Sequence, residues 1–352
     1  MEALLEQFGD GQLILFAGLV TGIVFGACAQ ASHFCLRAAT IELWRGRPGP
    51  RFAVWLLVFS SALILTQALI RNDMLDTGGL RQLTGVGSLS GALVGGTLFG
   101  VGMILARGCA SRLLVLSATG NLRAFMTGLL LTIVAQASLS GIFSPLREWL
   151  SSLWLVSGPA RDLASLLPEG SALIGGALLL LGGAALAFRE KTGGITCAAA
   201  LLTGGSIALG WYLTAFLAGW SFEPVTVQSV TFTGPSADTF MALVDRDSWP
   251  LDFGFGLVPG VFAGAFVSSL LRREFRIQTF DAESGMVRYL VGAVLMGFGG
   301  MLAGGCAVGA GITGGSVLAL TSWIALAAMW FSAGLADHML NRFGPVPAAS
   351  PT

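Results

Sequence analysis

Apolar residues run along this chain in blocks of about twenty, separated by short polar or glycine-rich stretches. A helix of about twenty apolar residues spans the ~30 Å hydrocarbon core of a bilayer. Nine blocks fit that length, at about 12–33, 52–70, 86–107, 123–143, 170–188, 195–220, 252–272, 286–303 and 316–336. The pattern predicts an all-α polytopic membrane protein with about nine transmembrane helices. Most intervals between blocks are short. Two longer ones, 144–169 and 221–251, are rich in Trp and Pro (Trp149, Trp154, Pro159, Pro168, Pro224, Pro235, Pro250) and read as interfacial helices or exposed loops. No separate soluble domain is marked, so residues 1–352 form a single transmembrane domain.

One block occurs twice. Leu93–Ala110 (LVGGTLFGVGMILARGCA) and Leu290–Ala307 (LVGAVLMGFGGMLAGGCA) align without a gap at an offset of 197 and agree at 11 of 18 positions. Chance would supply roughly two matches in a chain of this composition, so this is an internal repeat. It divides the chain into a first half (1–143), a linker with the fifth span (144–194) and a second half (195–352). Each copy is a glycine-striped helix that runs into a Gly-Cys-Ala turn. The third and eighth spans are five apart, an odd number, so the copies enter the membrane from opposite sides as an inverted repeat. Only residues 110–122 and 307–315 separate each turn from the next span. They predict re-entrant half-helices that meet near the centre of an hourglass-like body, where irregular backbone is tolerated if it lines a cavity.

Composition narrows the class further. The 352 residues are 54% hydrophobic and 11% charged, with a mean hydropathy of +0.79; ordinary soluble domains carry about 25% charged residues. The 50 glycines suit helices that approach closely in a membrane. Net charge is zero and no basic patch suggests nucleic acid. Met1–Asp10 is acidic and lacks the positive start of a cleavable signal. Fourteen of the nineteen Lys and Arg residues fall on one side of the predicted spans and five (Arg71, Arg81, Arg147, Arg161, Arg246) on the other. The positive-inside rule then puts the N-terminus in the periplasm and the C-terminus in the cytoplasm.

Five cysteines are present (Cys28, Cys35, Cys109, Cys197, Cys306), an odd number with no CxxC pair, which disfavours a disulfide framework or a zinc site. No cofactor motif is found; nothing matches GxxxxGK[ST], and no intramembrane carboxylate relay is evident. In an interior so poor in charge the neutral thiol is the favoured form, a weak donor on a soft atom. Such S–H groups beside the N–H groups of half-helix starts suit a soft anion without a charge strong enough to trap it.

HFCLRAA (His33–Ala39), RGCASRLLVLSATGNLRA (Arg107–Ala124), KTGGIT (Lys191–Thr196) and GGCAVGAGITGGSVLAL (Gly304–Leu320) together resemble the YeeE/YedE family of bacterial inner-membrane proteins, over nearly the whole chain. The resemblance implies an inner-membrane transporter that imports thiosulfate, or a related sulfur or selenium oxyanion, along a path of cysteine S–H groups. It implies Cys35, Cys109 and Cys306 as the residues of that path. A small TusA-like cytoplasmic sulfur carrier is the partner it implies. Cys28, seven residues before Cys35, reads as a packing cysteine or as a second residue on the same face of the first span. Cys197, after the KTGGIT turn, is open between the two roles. Arg112, three residues after Cys109, either draws a dianion inward or anchors the cytoplasmic side. The alternative is a membrane sulfurtransferase or thiol oxidoreductase carrying a cysteine persulfide. That chemistry calls for an activated thiolate, and no His lies beside Cys109 or Cys306 in sequence.

Overall fold

Nine helices of the computed structural model are long and apolar enough to cross a membrane among the described residues, which are 9–168, 170–221, 225–245, 251–279 and 285–343. Arg246 and both chain ends lie outside them. In chain order the helices used below are α1 (Asp10–Ala31), α2 (Leu36–Trp44), α3 (Pro50–Arg71), α4 (Leu89–Leu105), α5 (Ala110–Ala118), α6 (Leu122–Ser140), α7 (Ser144–Ser152), α8 (Ser171–Arg189), α9 (Gly194–Trp220), α10 (Thr233–Asp245), α11 (Phe253–Leu271), α12 (Met286–Leu302) and α13 (Leu320–Phe343). A π-helical turn, Ala307–Thr313, lies between α12 and α13. Several starts are capped by side chains: Ser88 accepts from the Gly91 N–H, Asn121 from Ala124 and Asp252 from Phe255. Among the described residues, strand is confined to a two-residue antiparallel ladder, Gly87–Ser88 with Leu155–Val156, that ties the segment after α7 to the start of α4.

Hydrocarbon gives apolar side chains no reason to leave it, so close backbone approach and shape decide which helices meet. Gly18, Gly22 and Gly26 of α1 lie on the α11 backbone at Phe253, Leu257 and Val261; Gly256, Gly260 and Gly264 of α11 lie on α1 at Leu15, Leu19 and Ile23. The numbers rise together, so α1 and α11 run parallel in a reciprocal glycine zipper. A Cβ at Gly260 would sit 2.5 Å from the Leu19 carbonyl oxygen.

The duplicated helices α4 and α12 pack antiparallel instead. A Cβ at Gly95 would meet the Gly299 carbonyl at 2.6 Å, and one at Gly102 the Gly292 carbonyl at 2.7 Å; the reverse contacts are 2.7 and 2.8 Å. Since Gly95 matches Gly292 and Gly102 matches Gly299 in the repeat, each contact is the counterpart of the other across a two-fold axis. The remaining stripe glycines obey the same relation: Gly100 rests on Met329 of α13 and Gly297 on Leu131 of α6. Helix α3 fills the other flank, stacking Trp55 on Phe59 with their edges against Trp330 and Trp323 of α13.

The stretches after the Gly-Cys turns are helical, as α5 and the π-helical turn. Two expectations change. The interval 221–251 is not wholly interfacial: Val230, Phe232 and Thr233 are fully buried, and α10 packs on α6 and α11. Cys28 and Cys35 do not share a helix face, because α1 ends at Ala31 and Cys35 follows a turn.

Candidate functional site

One backbone device ends many of the helices, those closed at Gly120 and Lys191 among them, and at three of these ends a cysteine follows. A helix ends, the chain closes with an N–H bonded five residues back (Phe34 to Ala29 O, 3.1 Å; Gly108 to Met103 O, 3.1 Å; Gly305 to Gly300 O, 2.8 Å), and a new short helix starts. The residue that makes the turn is left-handed in each case: His33 (φ 52°), Arg107 (φ 57°) and Gly304 (φ 80°). Two residues on stands the cysteine, Cys35, Cys109 or Cys306, as the N-cap of α2, α5 or the π-helical turn. Left-handed backbone costs a side-chain-bearing residue about 1–2 kcal/mol. The Arg107 guanidinium, 5.9 Å from the Tyr289 ring centroid, gains a cation–π contact there.

Cys109 is 1% exposed and Cys306 fully buried, while Cys35 is half-buried; all five thiols are free. Cys109 lies within electrostatic reach of both Cys35 and Cys306, so the three cysteines picked from sequence converge. The Cys109 Sγ pairs with Ser111 Oγ at 3.3 Å, and Cys306 Sγ accepts the Gly309 N–H at 3.4 Å. Cys28 and Cys197 stand in regular helices, both half-buried, with the Cys197 thiol 4.0 Å from the Thr192 carbonyl.

Arg112 belongs to a polar chain beside Cys35 and Cys109. Its Nη1 donates to Gln30 Oε1 (3.4 Å), Gln30 Nε2 donates to Glu274 Oε2 (2.9 Å), and Arg272 Nε donates to Glu274 Oε1 (3.1 Å). His33 Nε2 is 3.9 Å from the same carboxylate. The strand of chain carrying Glu274 is strapped over the α5–α6 turn: Arg276 N–H to Thr119 O, Gln278 N–H to Gly120 O and Leu122 N–H to Gln278 O. Gly120 (φ 95°) is required there, because a Cβ would press on Arg276 O at 2.5 Å. None of these partners of Arg112 was marked by sequence, since Gln30 and Glu274 are 244 residues apart.

At the opposite end a cavity of about 480 Å³ reaches the second turn at Gly304, Gly305 and Gly309, the residues flanking Cys306. Arg81, Arg147 and Arg161, three of the five minority-side cations, line it. Arg161 is 5% exposed; its Nη1 donates to Gly85 O, and its buried Nε finds no acceptor among the described residues. Burial draws its pKa down from the ordinary arginine value. Chemically the arrangement offers a cationic cavity beside buried Cys306, buried Cys109 in electrostatic reach of both other cysteines, and a cationic polar chain beside half-buried Cys35. A second crevice, about 530 Å³, opens between α3 and α8 beside Gln67 and Arg71, and no cysteine lines it.

Comparison with known proteins gives a consistent picture. A family model described as sulphur transport matches residues 31–335. The chain is similar to the thiosulfate transporter TsuA of Spirochaeta thermophila, 28% identical over 334 residues covering 89% of this chain and 94% of the relative. It is also similar to the thiosulfate transporter TsuA of Escherichia coli, 26% identical over 349 residues covering 90% and 92%.

Proposed function

The chain belongs to the sulphur-transport family, the YeeE/YedE proteins, and from that premise we propose that it imports thiosulfate by passing it along Cys306, Cys109 and Cys35. The observation that carries the reading is that three of these turns each set a free thiol at the head of a short helix, with Cys109 in reach of the other two. A neutral S–H donates a weak hydrogen bond to the terminal sulfur or an oxygen of the anion and releases it readily. Arg161, Arg81 and Arg147 concentrate the dianion at the outer mouth, and Arg112 receives it at the inner one. Two inverted halves, 1–143 and 195–352, thus face opposite sides of the bacterial inner membrane, with the N-terminus periplasmic. Delivery to a small TusA-like sulfur carrier in the cytoplasm completes the proposal.

Uptake of labelled thiosulfate into cells or proteoliposomes, with sulfate and selenite as competitors, tests it. A hydrogen bond to a charged partner is worth about 1.5–3 kcal/mol, or roughly 10- to 150-fold in affinity. Cys109→Ala and Cys306→Ala should nearly abolish uptake while reaching the membrane in normal amounts. The Ser variants keep a donor of similar size and should retain a measurable fraction. Loss of all transport in the Ser variants would favour a persulfide-carrying enzyme, and Ala variants with wild-type uptake would remove the cysteines from the path.

A further inference from the structure

Three cysteines head three central turns, yet the two-fold relation between the halves calls for a fourth partner opposite Cys35. Cys35 stands before α2 and, on the inner side, in electrostatic reach of Arg112. Displaced by the repeat offset of 197, Arg112 becomes Gly309. Against Gly309 lies Thr231, just before α10: a Cβ built at Gly309 would collide with the Thr231 hydroxyl. Thr231 and Gly309 therefore stand to each other as Cys35 stands to Arg112. On the inner side the pair is a thiol and a guanidinium; on the outer side it is a hydroxyl and a residue stripped of its side chain.

Both residues line the outer cavity, and Gly309 is the residue whose N–H binds the Cys306 sulfur. The segment bearing Thr231 is fixed from three directions. Thr214 Oγ1 donates to Gln228 O (2.7 Å), Ser229 Oγ to Ile207 O (2.6 Å) and Thr313 Oγ1 to Val230 O (2.6 Å). A hydroxyl held this rigidly beside a cavity is preorganised to donate to whatever enters it.

Resting on the transport reading above, we infer that Thr231 is a further substrate-binding residue: the outermost hydrogen-bond donor of the path, taking an oxygen of the anion as its sulfur end approaches Cys306. Thiosulfate is hard at its oxygens and soft at its terminal sulfur. A hydroxyl beside a thiol offers one donor suited to each end, so this pair orients the ion as it leaves the cavity. Gly309 has no side chain because one would displace the hydroxyl.

The test compares Thr231→Val, which keeps the shape and removes the donor, with Thr231→Ser, which keeps the donor. Uptake of labelled thiosulfate is measured in proteoliposomes against wild-type protein. Thr231→Val should raise KM by roughly 10- to 150-fold, the range for one lost hydrogen bond to an anion, with little change in maximal rate. Thr231→Ser should stay near wild type. If Val does not reach the membrane, Thr231→Ala serves in the same comparison with Ser. Equal KM for the donor-free and Ser variants overturns the role of Thr231 while leaving transport intact. Absence of thiosulfate uptake by the wild-type protein instead overturns the reading on which it rests.

Discussion

Glu274 shows how a single residue can hold one end of the molecule in place. Desolvation pushes its carboxyl upward, but hydrogen bonds from Arg272 and Gln30, with His33 nearby, outweigh it and hold the group below the ordinary carboxylate value. A carboxylate whose folded pKa is lowered adds stability that is complete above its unfolded value and is lost as pH falls through the folded one. Hydrogen-exchange protection of the Arg276 and Gln278 amides, which bind Thr119 O and Gly120 O, should therefore weaken on acidification through and below the usual carboxylate range. Glu274→Gln should flatten that dependence. An unchanged pH profile in the variant would assign the effect to other carboxylates.

Among elements, the glycine seams decide which helices are neighbours. Gly95→Ala and Gly299→Ala press the same α4–α12 contact from its two sides, whereas Gly100→Ala and Gly297→Ala press separate contacts with α13 and α6. Overpacking costs about 1–3 kcal/mol per site. The double variant of Gly95 and Gly299 should be coupled, because one separation of the helices relieves both clashes. The double variant of Gly100 and Gly297 should be additive within about 0.5 kcal/mol, as sites without a shared partner are. Reversible unfolding in detergent or bicelles measures both. Strict additivity for Gly95 with Gly299 would mean that the seam yields locally instead of moving as two rigid helices.

For the whole molecule the question is which side faces which compartment. Arg81, Arg147 and Arg161 gather at one cavity, while Arg51, Arg112 and Arg272 gather around His33 and Glu274 at the other end. The first group is in the cation-poor set and the second in the cation-rich set, so the orientation proposed from the positive-inside rule puts the cavity outside. A short epitope inserted after Trp154 should be reached by antibody from the periplasmic side, and one after Lys191 from the cytoplasmic side only. The reverse pattern would invert the transport direction proposed for the path.

Much of this was legible in sequence because it depends on local composition or on copying. Hydropathy alone marks nine spans, since a helix in hydrocarbon needs its apolar residues in one continuous run. The repeat marks Cys109 and Cys306, and the odd separation of the copies, five spans, gives the antiparallel packing of α4 on α12. Cys35 needed the family resemblance, because its counterpart, Thr231, does not share its chemistry. What only the tertiary structure decided are pairings between residues far apart in the chain: Gln30 with Glu274, Thr231 with Gly309, α1 beside α11. A glycine at four-residue spacing advertises close approach but not its partner, and a threonine in a Pro-rich interval reads as exposed until a buried helix start is built around it. Those choices come from shape and from satisfying backbone groups away from water, which are properties of the assembled bundle.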